Sequence, residues 1–307
     1  MSAEKHLRAP FPYFGGKRTV AALVWERLGA PRQYIEPFCG SAAVLLAAPA
    51  SLEVIGDQNF YIANFWRAIK HQPDRAYEWS DYPVSHVDLD ARHRWLTQPD
   101  RTQALRDALA DPEWPGDAQI AGWWVWGLCA WIGRGWCERE VSDAGQGVQS
   151  QVPHVSDAGR GVQSQVPHVG DAGQGVRDWF AHLARRLERV RIVHGAWTRT
   201  LNHHYGGDKT AVFLDPPYRA FERLYQSGSD VPVADAVAAW AAEHAHLRVA
   251  LCGHRGDYEL PGWEIVEWSR TRATYGGLGT KDKEAIWFSP ACVRPTRRGQ
   301  LSLAVST

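Results

Sequence analysis

The chain has 307 residues, and its 34 lysines and arginines balance its 34 aspartates and glutamates, so the formal net charge is zero. That balance argues against a protein that holds nucleic acid by bulk charge alone, though not against one with a local basic groove. No run of eighteen apolar residues marks a membrane span, and residues 1–18 lack the apolar stretch of a secretory signal. Five cysteines (Cys39, Cys129, Cys137, Cys252 and Cys292) form no C-x-x-C pair. This argues against a disulfide framework or a cysteine zinc site, and for free thiols in the cytoplasm. Arginine far outnumbers lysine, and the 16 tryptophans can serve either as core or as base-stacking surfaces.

In chain order, PFPYFGGKR at 10–18 is a tight loop that opens a helix at about 19–28, where TVAALVWERL is apolar at helical spacing. Residues 33–35 read as a strand that runs into EPFCGSAAVLL, expected to be a turn around Gly40 followed by a helix of small and apolar residues. LEVIG at 52–56 is the next strand, ending at Asp57, and a helix follows at about 60–71. Residues 73–119 are polar and dotted with tryptophan, and partly helical. IAGWWVWGLCAWIGRGW at 120–136 is dense in aromatics.

An internal repeat comes next. SDAGQGVQSQVPHV at 142–155 recurs at 156–169 with Arg160 in place of Gln146, and a partial copy reaches 176. Two and a half Gly-rich copies are too few for a solenoid, so loops or short hairpins are expected. Beyond it the pattern predicts a helix at 177–190, a strand at 191–195, a buried strand at 210–214, a helix near 233–246, and strands at 249–253, 263–268 and 284–289. Strands alternating with helices imply an α/β fold with a mostly parallel sheet and helices on both faces, broken by one insertion.

The sharpest local signal is Asp215-Pro216-Pro217-Tyr218 at the end of an apolar strand. Alone it also fits a strand-ending turn, since proline cannot extend a ladder. Together with YFGGK at 13–17, EPFCGS at 36–41 and GDQN at 56–59, it resembles the S-adenosylmethionine-dependent amino-methyltransferases. More narrowly, it resembles the Dam-like (D12 class, alpha group) DNA adenine-N6 methyltransferases. The resemblance covers about 10–70 and 177–290. It implies a Rossmann-like methyltransferase core at 1–72 and 177–292, an inserted smaller target-recognition region at 73–176 that holds the repeat at 142–176, and an irregular tail at 293–307.

The resemblance implies methyl transfer from S-adenosylmethionine to the exocyclic amine of a flipped-out adenine in double-stranded DNA. The expected catalytic residues are Asp215, Pro216, Pro217 and Tyr218. The Asp215 carboxylate and the Pro216 carbonyl would each accept one N6–H, and Tyr218 would stack on the base. Cofactor-binding residues would be Tyr13, Gly16, Lys17, Glu36, Phe38, Gly40, Asp57 and Asp215. Asp57 would face the ribose, and the helix N-terminus after Gly40 the methionine carboxylate. Read without the family, Lys17 is also a solvated helix-start lysine and Asp57 a strand-end turn residue.

Trp126, Arg134, Arg139 and Arg160 are the candidate DNA contacts, although most tryptophans of this stretch are expected in a core. The repeat's Gln149, Gln151, Gln163 and Gln165 suit adenine edges or a solvated loop. His154 and His168 have no acidic or cysteine partner pattern, so no metal is expected. A homodimer would fit a palindromic target, and a restriction endonuclease partner is compatible but not required.

The chain departs from the family pattern in two places. Ala42 stands where the usual Phe-x-Gly-x-Gly has its second glycine, and Ala196-Trp197 stands where relatives often carry an acid before an aromatic. The competing readings are an RNA adenine methyltransferase, a protein-amide methyltransferase (which usually has Asn in place of Asp215), or a DNA-binding protein with an inactive core.

Overall fold

The computed structural model describes residues 7–11, 17–131, 136–137, 174–201, 209–217, 232–269 and 283–294. Seven strands lie among them: β1 (Gln33–Glu36), β2 (Leu52–Asp57), β3 (Val190–His194), β4 (Thr210–Leu214), β5 (Arg248–His254), β6 (Glu264–Ser269) and β7 (Lys283–Phe288). They form one sheet in the order β3-β2-β1-β4-β5-β7-β6. The pairs β2–β3, β1–β4 and β4–β5 are parallel, and β7 runs antiparallel to both β5 and β6. This is the expected mostly parallel α/β sheet. The repeat, apart from its last three residues, and the tail from 295 lie outside the described residues. Among the described residues no helix is long and apolar enough to cross a membrane.

The chain packs as two compact units, residues 1–17 with 36–203, and residues 18–35 with 204–307. The first is built around α2 (Phe60–His71), in which nine consecutive residues, Tyr61 to Ile69, are buried. Its start is fixed locally, because the Asn59 side chain accepts the Tyr61 N–H at 2.9 Å. Around it stand α3 (Pro73–Ser80), α4 (His86–Leu96), α5 (Pro99–Leu109), α6 (Ala118–Ala130), α7 (Gln174–Leu187) and the single-turn α8 (Trp197–Leu201). Proline opens both α3 and α5, where its missing N–H costs nothing.

The core of this unit is aromatic. Phe11 meets Phe65 and Trp124 edge-on at 5.2 Å each, and Phe65 meets Trp66 at 5.1 Å. The buried Asn64 side chain ties α2 to the start of α6, donating to the Asp117 carbonyl at 3.0 Å and accepting the Asp117 N–H at 2.7 Å. The Asp117 carboxylate in turn caps α6 through the Ile120 N–H. Arg186 of α7 grips Glu53 of β2 through two bonds of 2.7 Å, a bidentate pair that is mostly buried. The described part of 73–137 therefore shares its packing with α2 and α7.

In the second unit, α1 (Ala21–Leu28) places Arg27 2.9 Å from Glu264 of β6, and α9 (Val233–Glu243) packs on β5. β4 is buried along its whole length, as an apolar central strand must be.

One element departs from expectation. No α-helix follows Gly40; residues 41–44 form turns and Leu45–Ala47 make one 3₁₀ turn. The reason is local. Ala42 is left-handed, with φ +49°, and Pro49 holds Ala48 extended, so too few residues remain between them for a helix. The short helix α8, by contrast, falls between the strands expected at 191–195 and 210–214, where the pattern predicts no element.

The α3–α6 crossing depends on Gly122. A Cβ there would lie 2.7 Å from the Ala76 carbonyl oxygen and 2.8 Å from the Trp79 carbonyl carbon, both main chain. Gly122→Ala should therefore push the helices apart and cost about 1–3 kcal/mol or more despite the better helix propensity of alanine. Chemical denaturation of the two proteins checks this; an unchanged midpoint would show that the crossing has slack.

Candidate cofactor loop and strand-end carboxylates

In the first unit, the EPFCGS segment and the end of β2 are joined by main-chain bonds. The Cys39 N–H donates to the Gly56 carbonyl at 2.9 Å. The Gly40 N–H donates to Asp57 Oδ2 at 2.9 Å, and the Asn59 N–H donates to Asp57 Oδ1 at 2.8 Å. Gly40 has φ +44°, which turns its N–H toward β2, and its carbonyl accepts the buried Trp66 indole N–H at 2.9 Å. Asp57 is thus the clamp of the loop, a half-buried carboxylate that takes an N–H on each oxygen.

Burial pushes the Asp57 carboxyl up to about 6, against the Asn59, Gly40 and Gln58 main-chain bonds that pull it down. It is still mainly ionised at neutral pH, with lone pairs left to accept a hydroxyl.

Two buried groups set the shape of the loop from within. Glu36 is 2% exposed, and its Oε2 accepts the Leu45 N–H at 3.2 Å. It therefore acts on the fold of the loop, and its oxygens are turned inward. Ala42 is fully buried and takes the left-handed conformation that glycine would adopt without cost, at a penalty of about 1–2 kcal/mol. The departure from the family's second glycine thus leaves the backbone turn in place.

An aromatic face lies beside the loop. Phe38 is half-buried and stacks on Trp197, with ring centroids 6.4 Å apart and planes 25° from parallel. Trp197 was noted in the sequence only as part of the Ala196-Trp197 departure and was not among the expected site residues. Gly56 makes room for the neighbouring α8, since a Cβ there would lie 2.0 Å from Thr200 Oγ1. Lys17 is 3% exposed, so it is not the solvated lysine that the sequence alone also allowed.

Burial holds four of the five cysteines toward the protonated thiol. Burial, then the charges of Asp57 and Glu36, hold the Cys39 thiol well above its usual range. Burial likewise raises Cys129, Cys137 and Cys292.

In the second unit, β4 delivers Asp215 directly after the buried Leu214, with Asp215 half-buried, Pro216 buried and Pro217 half-buried. The prolines end the strand and stiffen the segment that carries the carboxylate. Tyr218, Tyr13, Gly16, Arg134, Arg139 and Arg160 lie outside the described residues. Trp126, expected to face DNA, is fully buried, and its indole N–H donates to the Tyr82 carbonyl at 2.8 Å. Arg92 covers its ring at 4.1 Å, so it has no face to offer a ligand. Tryptophan composition could not separate core from surface here.

The raised Asp57 carboxyl makes stability depend on pH. The folded chain keeps this proton to about 6, while the unfolded chain loses it near 3.8. The stabilising contribution is full below about 4 and is lost as pH rises toward 6, on the order of 2–3 kcal/mol. Relative to Asp57→Asn, whose side chain does not titrate, the natural protein should lose stability across that window. Denaturation at pH 4 and pH 7 reads the difference, and parallel pH profiles would show that Asp57 titrates normally.

No curated protein matches the chain. Residues 13–93, which hold the Gly40 loop, Asp57 and α2, match the model of the family described as D12 class N6 adenine-specific DNA methyltransferase.

Proposed function

We propose that the protein is an S-adenosylmethionine-dependent enzyme that methylates adenine N6 in DNA. The observation that carries this reading is the carboxylate Asp215 followed by Pro216 and Pro217 at the carboxyl end of the buried β4, in a chain whose residues 13–93 match the adenine-N6 family. In open α/β sheets ligands bind beyond the carboxyl ends of the strands.

The residues of the first unit suit the cofactor. The Phe38–Trp197 pair offers a flat apolar face, Asp57 a carboxylate for ribose hydroxyls, and Gly40 a main chain without Cβ. The cofactor would supply an activated methyl group, so the protein needs no side-chain nucleophile. Its own task is placement.

Asp215 and the Pro216 carbonyl would accept the two N6–H groups, localising the nitrogen lone pair toward the methyl carbon. The positive charge growing on N6 is stabilised by Asp215 until a proton leaves. The base would have to be flipped from the duplex, and the helical stretch with its repeat, residues 73–176, is assigned to reading the target.

Asp215→Ala should lower methyl transfer to duplex DNA by a hundredfold or more, as expected for the loss of one group that stabilises transition-state charge, worth about 3 kcal/mol. Cofactor affinity should stay within a few-fold. Transfer of labelled methyl to duplex DNA, single-stranded DNA and RNA, beside calorimetry of cofactor binding, tests both points. Activity within threefold of the natural protein would remove Asp215 from the reaction, and transfer confined to RNA would overturn the substrate.

A further inference from the structure

The outer edge of β3 carries a basic feature that the methylation reading does not use. Its carbonyls at Val190 and Ile192 accept from two cations of α2. Lys70 Nζ lies 2.9 Å from the first, and Arg67 Nε and Nη2 lie 3.3 and 3.2 Å from the second. Arg67 also donates Nη1 to the Asp111 carbonyl at 2.7 Å and, more weakly, to that of Trp114 at 3.4 Å. This guanidinium is 4% exposed, and every one of these partners is a neutral main-chain carbonyl. A buried charge satisfied by main-chain hydrogen bonds, with no acid in contact with it, leaves a positive potential around it.

That potential opens into a cleft of about 130 Å³, lined by Arg67, Arg191, Arg199 and His194 against an apolar wall from Leu109 and Pro112. Among the described residues neither Arg191 nor Arg199 forms an ion pair. The Arg199 side chain lies close over Gly195, which has φ +122° and where a Cβ would lie 3.0 Å from both Cδ and Nη1 of Arg199.

The acids whose charge reaches Arg67 are Asp111 and Glu113. Both are exposed, and Asp111 Oδ1 accepts the Glu113 N–H at 2.9 Å. His194 does not add to the charge. Burial first, then Arg199, Arg67 and Arg106, hold it down to about 4, against a bond to the Gln58 main chain. The volume is below the range of sites for drug-sized ligands, which points to a small anion. Guanidinium forks match the oxygens of a phosphate.

We propose that this cleft binds a phosphate group, gripped by Arg191 and Arg199 over the fixed charge of Arg67. Resting on the reading of the chain as a DNA-methylating enzyme, that phosphate is a backbone phosphodiester of the DNA. Free phosphate shares the chemistry, and the test separates the two sources.

The test compares the full chain with the double variant Arg191→Gln/Arg199→Gln. The first arm measures melting in inorganic phosphate against chloride at equal ionic strength. Phosphate should raise the melting temperature of the natural protein and leave that of the variant unchanged. The second arm titrates duplex DNA binding with salt. Loss of one phosphate contact should reduce the slope of log K against log salt by about 1, with weaker binding at low salt. Cofactor affinity should not change.

Phosphate protection with an unchanged DNA slope would keep the anion site and overturn DNA as its source. No phosphate protection and no slope change would overturn the proposal. If the natural protein bound no DNA, the methylation reading would fail while the phosphate arm still judged the cleft. Arg191→Gln alone, at an exposed strand position, serves the same two arms if the double variant does not fold.

Discussion

The hydrogen bond from the Gly40 N–H to the Asp57 carboxylate organises the first unit. It holds the loop after β1 against the end of β2, and its geometry sets the conditions for the neighbouring groups. Gly40 must be left-handed to aim its N–H, its carbonyl is then presented to Trp66, and Trp66 is part of the buried face of α2. Asp57 cannot be both dry and freely ionised, and the compromise is a carboxyl raised to about 6 by burial yet fed by main-chain N–H groups. A carboxylate in that state is a stronger hydrogen-bond acceptor than a solvated one, because less water competes for it.

The same segment shows how local backbone preference can yield to context. Ala42 pays for a left-handed turn, and the turn consumes residues that composition assigned to a helix. The loop beyond Gly40 therefore presents turns of main chain and not the positive end of a helix dipole. Any anionic group bound there would depend on individual N–H groups.

What the sequence disclosed follows from how local each signal is. α2 was legible at about 60–71, and the Asn59 cap fixes where it starts. β4 was legible as an unbroken apolar run halted by two prolines. Asp57 and Asp215 were legible as strand-end carboxylates. Their surroundings were not. The N–H donors to Asp57 come partly from seventeen residues upstream, and Trp197 reaches Phe38 only through the turn at Gly195. Trp126 read as a surface candidate because aromatic density carries no facing information; only the Tyr82 carbonyl and the Arg92 guanidinium, both far along the chain, show it to be core. The arginines at β3 were invisible for the same reason, since Arg67, Arg191 and Arg199 are scattered in sequence and meet only when α2 lies along the strand.

The two cations of α2 on the carbonyls of β3 have a consequence for association. A terminal strand with open carbonyls invites another chain to extend the sheet. Here alternate carbonyls of that strand already accept from Lys70 and Arg67, and a newcomer would have to displace a buried guanidinium to pair with it. Among the described residues this side of the sheet is thereby a poor template for a further strand in the folded protein.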